Sequence, residues 1–91
     1  MYHYKLSFEA EEDVIRIFEY GLGRFGLQQA TKYYDMLYDS FDRIASNPYQ
    51  FPVVINYKNA ERFCVCGVDT IYYNINKKEI EIVTIIGRQD Y

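Results

Sequence analysis

The chain has 91 residues, of which 49% are apolar or aromatic and 25% charged, and its net charge at neutral pH is -3. This length accommodates one compact core, so a single domain over residues 1–91 is predicted, and the even spread of apolar residues excludes a disordered chain. The acidic balance argues against direct nucleic-acid binding as the main activity, because basic residues that neutralise phosphates supply most of that affinity. The sequence shows no signal peptide and no apolar run near the ~20 residues of a membrane span, which predicts a cytoplasmic protein.

The N-terminal residues predict a short strand followed by a helix. Tyr2, Tyr4 and Leu6 alternate with polar residues, which is typical of a strand with one apolar face. Ser7 then provides a helix cap, and carboxylates follow it where they meet the positive end of the helix dipole. We interpret these carboxylates as a solvated cap rather than a catalytic pair or a cation site; they are Glu9, Glu11, Glu12 and Asp13. The buried face of this helix is predicted to contain Ala10, Val14, Ile17, Phe18 and Gly21.

A second helix follows a glycine-rich turn. Apolar residues recur at intervals of three and four, which predicts an amphipathic helix; they are Leu27, Ala30, Tyr34, Leu37, Phe41 and Ile44. Pro48 ends the helix, because proline disfavours helical geometry in the residue before it. Residues 21–26 match the dinucleotide fingerprint G-x-G-x-x-G, but that motif follows a strand in a βαβ unit, whereas here a helix precedes it. The glycines are therefore predicted to form the turn of a helical hairpin.

The second half of the chain predicts three strands, at residues 63–66, 71–75 and 80–86. The short connections between these strands are typical of an antiparallel meander. The predicted fold is therefore α+β, in the order β-α-α-β-β-β, with the helical hairpin on one face of a small twisted antiparallel sheet.

Alternation along the strands divides their residues between two faces. The face toward the helices is predicted to contain Tyr2, Tyr4, Leu6, Phe63, Val65, Ile71, Tyr73, Ile75, Ile80, Ile82 and Ile86. The outer face is predicted to contain His3, Lys5, Cys64, Cys66, Tyr72, Asn74, Glu81, Val83 and Ile85. That outer face is too apolar for open water, so either a partner chain covers it or an edge strand, or the linker at residues 49–60 folds back over it.

Few residues offer catalytic or metal-binding chemistry. Cys64 and Cys66 lie two apart in a strand and therefore point to the same face, which predicts two reduced thiols rather than a disulfide. With His3 as the only histidine, a tetrahedral metal site and a catalytic triad are both poorly supported, and no cofactor or metal is predicted. The remaining candidates for acid, base or electrostatic chemistry are Lys58, Arg62, Tyr72, Tyr73, Arg88 and Tyr91, for which surface salt bridges are an equally good explanation.

An ordered set of motifs resembles a known family over nearly the whole chain. The motifs are Ala10-Glu11-Glu12-Asp13-Val14, Ile17 with Tyr20, Phe25-Gly26 with Ala30, Asn47-Pro48, Arg62-Phe63, Ile71-Tyr72-Tyr73, Ile80-Glu81-Ile82 and Gly87-Arg88-Gln89-Asp90. In this order and length they resemble the ParE toxins of bacterial toxin–antitoxin modules, within the ParE/RelE superfamily. The resemblance implies the fold predicted above and a ParD-type antitoxin whose disordered C-terminal segment folds along the toxin.

The resemblance also implies an activity. ParE-like proteins poison DNA gyrase by trapping its cleaved-DNA complex, whereas RelE-like relatives cut messenger RNA on the ribosome. The acidic balance of this chain and its scarcity of acid and base groups favour the gyrase inhibitor, a binding protein rather than an enzyme. Two alternatives stay open: a ribosome-dependent endonuclease that uses Arg62, Arg88 and Tyr91, and an inactive binding module with the toxin fold.

The resemblance and the residue types together predict two binding surfaces. Target contact is assigned to the polar C-terminal end and nearby cations, namely Lys58, Arg62, Arg88, Gln89, Asp90 and Tyr91. Antitoxin contact is assigned to grooves beside the helical hairpin and to the outer sheet face, namely Tyr20, Tyr33, Tyr38, Tyr72, Val83 and Ile85. The chain has 11 tyrosines, which suits a recognition surface, although each also fits a core or rim position.

Overall fold

The computed structural model describes residues 2–87, apart from the side chain of Asn56. Two helices, α1 (Phe8–Phe25) and α2 (Leu27–Ser46), form a hairpin that packs on a five-stranded sheet. The strands are β1 (His3–Leu6), β2 (Val53–Tyr57), β3 (Ala60–Cys66), β4 (Asp69–Asn76) and β5 (Glu79–Gly87), in the spatial order β1-β5-β4-β3-β2. The predicted α+β class and the helical hairpin are confirmed.

The helix boundaries follow the capping residues that the sequence indicates. The Ser7 side chain accepts a hydrogen bond from the Ala10 N–H at 3.0 Å and starts α1. Gly26 alone makes the turn between the helices, at a φ of 91° that favours glycine. Gly21 and Gly23 lie inside α1 instead of in the turn, which corrects the prediction. A Cβ on Gly21 would lie 3.5 Å from the Ala30 Cβ, so this glycine sits where the two helices approach closely.

The sheet differs from the predicted one in two respects. It is mixed, because β1 pairs in parallel with β5 while the other neighbouring strands are antiparallel. It also has a fifth strand, β2, within the segment that the sequence analysis treats as a linker. Lys58 and Asn59, with φ of 56° and 59°, form the tight turn that joins β2 to β3. Hydrophobic alternation indicates a strand but not its neighbour, so neither feature was predictable from the pattern alone.

The predicted faces of β3 are reversed. Cys64 and Cys66 are buried in the core, whereas Phe63 is half-buried and Val65 is 54% exposed. All four residues from 63 to 66 are apolar, so alternation along this part of β3 does not reveal which face is inside. A thiol packs as a small hydrophobic group, and both cysteines are free. The two thiols point to the same face, as predicted, but that face is the buried one, and burial raises the pKa of both thiols.

A β-bulge reverses which side chains face the core at the end of β5. Ile82 pairs with Tyr73 but Thr84 pairs with Tyr72, which leaves Val83 as an extra residue between them. Ile80 and Ile82 face the core as predicted. After the bulge Ile85 is fully buried and Ile86 is half-buried, the opposite of their predicted positions.

The first turns of α1 cover the edge of β5 that β1 is too short to reach. β1 pairs with β5 only as far as Ile82, where the Ser7 N–H donates to the Ile82 carbonyl at 2.9 Å. Beyond that point the Ser7 hydroxyl donates to the Val83 carbonyl at 2.7 Å. The Asp13 carboxylate then accepts a hydrogen bond from the Ile85 N–H at 2.9 Å. Side chains of the helix therefore replace strand hydrogen bonds along this edge.

Two of the four carboxylates predicted as a solvated cap belong to this arrangement. The Thr84 hydroxyl lies 2.8 Å from Glu9 Oε2 and 3.0 Å from Asp13 Oδ2, so it donates to the carboxylates of α1. Thr84 is buried, and Asp13 is largely covered. The prediction is therefore wrong for Asp13, whereas Glu9, Glu11 and Glu12 are exposed as expected, and Glu9 also joins α1 to β5.

The core lies between the helical hairpin and the central strands. Its fully buried members include Leu37, Phe41 and Ile44 from α2, and Tyr2, Tyr4 and Leu6 pack against it as predicted. The Tyr73 hydroxyl donates to the Pro48 carbonyl at 2.6 Å and fixes the short 3-10 turn Pro48–Gln50 to β4. No helix in residues 2–87 is long and apolar enough to cross a membrane.

Candidate functional site

A groove of about 600 Å³ lies between the helical hairpin and the turn from β3 to β4. Its walls are mostly apolar and aromatic, as in many binding sites. The helices contribute Ile17, Tyr20, Phe25, Tyr33 and Met36, and the turn contributes Val68 and Asp69. We call this surface the hairpin groove.

A tyrosine and a carboxylate form a polar point in the hairpin groove. The Tyr33 hydroxyl lies 2.6 Å from Asp69 Oδ2 and 2.7 Å from the Cys66 carbonyl. Asp69 is only 2% exposed. Burial and the hydrogen bond to Asp69 raise the pKa of Tyr33 well above its usual value, so this hydroxyl is neutral at physiological pH. It is therefore a fixed donor and not a base.

The structure distributes the predicted antitoxin-binding residues over three places. Tyr20 and Tyr33 both line the hairpin groove. Tyr38 packs between Tyr34 and Phe41, at centroid distances of 4.8 and 4.9 Å, as part of the core rim. Two further candidates, Tyr72 and Val83, lie half-buried on the sheet.

Ile85 cannot contact a partner, because it is fully buried against the core. Its predicted position on the outer face is wrong, and the cause is the bulge at Val83 described above.

The outer face of the sheet carries an aromatic cluster. The ring of Tyr72 lies 4.8 Å from that of Tyr57 and 6.2 Å from that of Phe63. Tyr57 comes from β2, so the predicted linker covers part of this face with the Tyr57 ring and also forms an edge strand. Val65 stays 54% exposed beside this cluster. Coverage of the remaining apolar surface by a partner chain stays a prediction.

Arg62, assigned above to target contact or catalysis, holds the segment before β2. Its Nη1 atom donates to the Phe51 carbonyl at 2.6 Å and to the Tyr49 carbonyl at 3.2 Å. Its guanidinium also lies 5.2 Å from the centre of the Tyr49 ring. These contacts give Arg62 a structural function, since the carbonyls and the ring would lose their partner if it moved to a substrate.

Lys58, another predicted target residue, lies far along the sheet from Gly87, the last described residue of β5. Lys58 lies at the turn that begins β3, whereas Gly87 pairs with Asp69 beyond the other end of that strand. The six steps from Ala60 to Cys66 correspond to about 20 Å. Four residues of the prediction, Arg88, Gln89, Asp90 and Tyr91, lie outside the described residues.

Other proposed chemistry finds little geometric support. Tyr73 is fully buried and its hydroxyl is bonded to Pro48, so it is inaccessible to a substrate. Within residues 2–87, no group of three histidine, cysteine, aspartate or glutamate side chains is placed to hold a metal ion.

The sequence analysis missed part of the hairpin groove. Val68 and Asp69 belong to a turn whose residues the pattern assigns to neither face, and Met36 lies on the side of α2 away from its main apolar stripe. The sequence signal for this part of the groove was Gly67, because glycine readily takes the positive φ that this turn has.

Stability is expected to fall in alkaline solution because several buried groups must stay neutral. Burial raises the pKa of Tyr73, burial and neighbouring groups raise the pKa of Tyr38 to about 12, and the Cys64 and Cys66 thiols are shifted upward as well. In the unfolded chain, thiols ionise near pH 9 and tyrosines near pH 10. The contribution of these neutral groups to the free energy of unfolding is therefore complete below about pH 9. It is lost as pH rises toward their pKa values in the folded protein.

Urea unfolding measured at pH 8, 9, 10 and 11 checks this dependence. Tyr73→Phe should flatten the loss above pH 10, because it removes the buried hydroxyl that must ionise. A constant free energy of unfolding between pH 8 and 11 would contradict the expectation.

Comparison with known structures places the fold. The chain superposes on a solved chain described as the chromosomal ParDE TA system from P. aeruginosa, with a TM-score of 0.81, 17% identity and coverage of 96% of both chains. At this identity the likeness shows the fold alone: a helical hairpin on a five-stranded mixed sheet.

Comparison of sequences identifies the family. Residues 4–91 match the family model of the ParE toxin of the type II toxin–antitoxin system parDE. The chain is also 28% identical over 83 residues to Toxin ParE1 of Caulobacter vibrioides, a match that spans 91% of this chain and 85% of the relative. The chain therefore belongs to the ParE toxin family of type II toxin–antitoxin systems.

Proposed function

We propose that this ParE-family toxin inhibits DNA gyrase in the cytoplasm by trapping its cleaved-DNA complex, and that a ParD-type antitoxin neutralises it. The observation that carries the proposal is the match of residues 4–91 to the ParE toxins, which spans the helices, the sheet and the C-terminal end. Arg62 is one of the three side chains that the nuclease would need, and its contacts with Phe51 and Tyr49 hold it in a structural function. This supports gyrase binding over ribosome-dependent RNA cleavage.

The antitoxin binds in the hairpin groove in this proposal. A disordered antitoxin segment that folds into the groove would bury apolar side chains against Ile17, Tyr20 and Met36, which supplies the main binding energy. The Tyr33 hydroxyl, which Asp69 holds in place, would fix the register of that segment through a polar contact, as a few well-placed polar groups do in apolar sites. Tyr72 and Val83 offer a second contact on the sheet for the same antitoxin.

Target contact is proposed for the C-terminal residues 88–91, with Lys58 as a separate contact at the far end of the sheet. Gly87 pairs with Asp69, and Asp69 lines the hairpin groove. An antitoxin in the groove would therefore lie where the chain leaves β5 toward residues 88–91. This proximity gives a steric reason for neutralisation without any change in the toxin fold.

A supercoiling and cleavage assay tests the proposal with purified toxin, DNA gyrase, ATP and plasmid DNA. The expected result is dose-dependent linear DNA that is prevented by the cognate antitoxin. A chain ending at Gly87 should lose this effect and still bind the antitoxin. Val68→Asp, which changes a half-exposed residue of the groove, should keep the effect and escape neutralisation.

The outcomes separate the two parts of the proposal. Absence of linear product from a folded toxin, together with cleavage of ribosome-programmed mRNA, would reject gyrase as the target. Full neutralisation of Val68→Asp would reject the hairpin groove but not the target.

A further inference from the structure

The outward side of α1 carries three large apolar residues that serve no purpose in the core. Phe8, Ile15 and Leu22 are 77%, 54% and 41% exposed. They recur every seven residues, close to two helical turns, so they form one stripe about 21 Å long. The buried residues Ala10 and Val14 lie on the opposite side of the helix. Exposed apolar residues aligned in this way are typical of an interaction surface.

Two exposed carboxylates border the stripe. Glu12 and Glu19 follow Phe8 and Ile15 by four residues and therefore lie beside them on the same side. Within residues 2–87 the ion pairs are Lys5 with Glu79 and Arg16 with Asp13, so neither Glu12 nor Glu19 takes part in one. The dipole at the start of α1 does not account for Glu19, which lies in the third turn of the helix. The surface is thus both apolar and acidic.

We propose that this stripe, formed by Phe8, Ile15 and Leu22 with Glu12 and Glu19, binds a basic amphipathic helix of another protein. A partner helix with apolar residues every three to four positions matches the spacing of the stripe, and flanking lysines or arginines pair with the two glutamates. The site is separate from the hairpin groove, and it does not depend on the identity of the toxin's target.

Charge decides between the possible occupants. Two copies of this chain joined through the stripe would bring Glu12 and Glu19 of one copy against the same glutamates of the other, and like charges across an interface are unfavourable. Any acidic segment of a partner, including one of an antitoxin, would meet the same repulsion. A basic helix is the occupant that satisfies both the apolar and the charged parts of the surface.

A pair of synthetic helical peptides tests the proposal on the full-length chain. Both peptides carry leucines at heptad positions; one carries lysine and arginine on the flanks and the other carries glutamate. Calorimetry should show that the basic peptide binds about tenfold more tightly or better, as two favourable ion pairs at an apolar interface would give. Amide chemical shifts of the ¹⁵N-labelled chain should move on the outward side of α1 and not in the hairpin groove.

Variants at these exposed positions leave the core intact and make the test specific. Phe8→Ser combined with Ile15→Ser should weaken basic-peptide binding at least tenfold, whereas Val53→Ser, at an exposed apolar residue of β2, should not change it. Glu12→Lys combined with Glu19→Lys should reverse the preference toward the acidic peptide. Equal binding of both peptides, shifts centred on the groove, or a dimer that Ile15→Ser dissociates in sedimentation would each overturn the proposal.

Discussion

Asp13→Ala is expected to lower the free energy of unfolding by about 2–3 kcal/mol. The substitution removes a charged acceptor from the Ile85 N–H and from the Thr84 hydroxyl, and both of these residues are buried. A buried donor that loses a charged partner costs about this amount, because water cannot replace the partner. Thr84 keeps the Glu9 carboxylate at 2.8 Å, so the cost arises mainly at Ile85.

Chemical denaturation of three variants measures this contribution. Glu12→Ala is the matched control, since Glu12 is the neighbouring carboxylate of α1 and is exposed; it should change stability by less than about 0.5 kcal/mol. Asp13→Asn keeps an acceptor oxygen for the Ile85 N–H, so its loss of unfolding free energy should lie between those of Asp13→Ala and Glu12→Ala. Similar losses for Asp13→Ala and Glu12→Ala would show that the carboxylates act only through the helix dipole.

The contrast between these two neighbours shows what the sequence can and cannot establish. The pattern of a capping serine followed by carboxylates predicts where α1 begins, because capping depends on local residues. It does not distinguish Asp13 from Glu12, since the function of Asp13 depends on the bulge at Val83 in a strand that is distant in sequence. The local signal for the start of α1 was therefore reliable, while contacts between α1 and β5 required the structure.

The strands show the same limit. Alternation correctly placed Ile71, Tyr73 and Ile80 toward the helices, because polar residues or a known turn fix the phase of these strands. It failed for β3, where apolar residues occupy both faces, and for Ile85, where a bulge changes the phase. The candidate site was predictable only in part for the same reason. Tyr20 and Tyr33 were correctly assigned to a groove beside the helical hairpin, but the wall that the turn from β3 to β4 adds to this groove was not predicted.

The second large expected effect concerns Gly67, in the turn from β3 to β4. Gly67→Ala should lower the free energy of unfolding by about 2–4 kcal/mol. Gly67 has a φ of 59°, where a residue with a Cβ is strained by about 1–2 kcal/mol. The added Cβ would also lie 2.6 Å from Tyr33 Cε1 and 2.7 Å from the Tyr33 hydroxyl, closer than these atoms can approach. The ring cannot move freely, because its hydroxyl is held by Asp69 and the Cys66 carbonyl.

A matched glycine separates the clash from the general effect of adding a methyl group. Gly23 lies inside α1 with nothing within 4 Å of an added Cβ, so Gly23→Ala should instead stabilise the protein by about 0.5–1 kcal/mol. Denaturation curves of both variants give the comparison directly.

A double-mutant cycle then assigns the cost of Gly67→Ala to its two causes. In a Tyr33→Ala background the clash disappears, so Gly67→Ala should cost only the backbone strain of about 1–2 kcal/mol. The difference between the two backgrounds measures how firmly the turn and the hydrogen bonds to Asp69 and Cys66 hold Tyr33 in the wall of the hairpin groove. Equal costs in both backgrounds would mean that the ring moves aside freely, and a movable ring would not fix the register of a bound antitoxin.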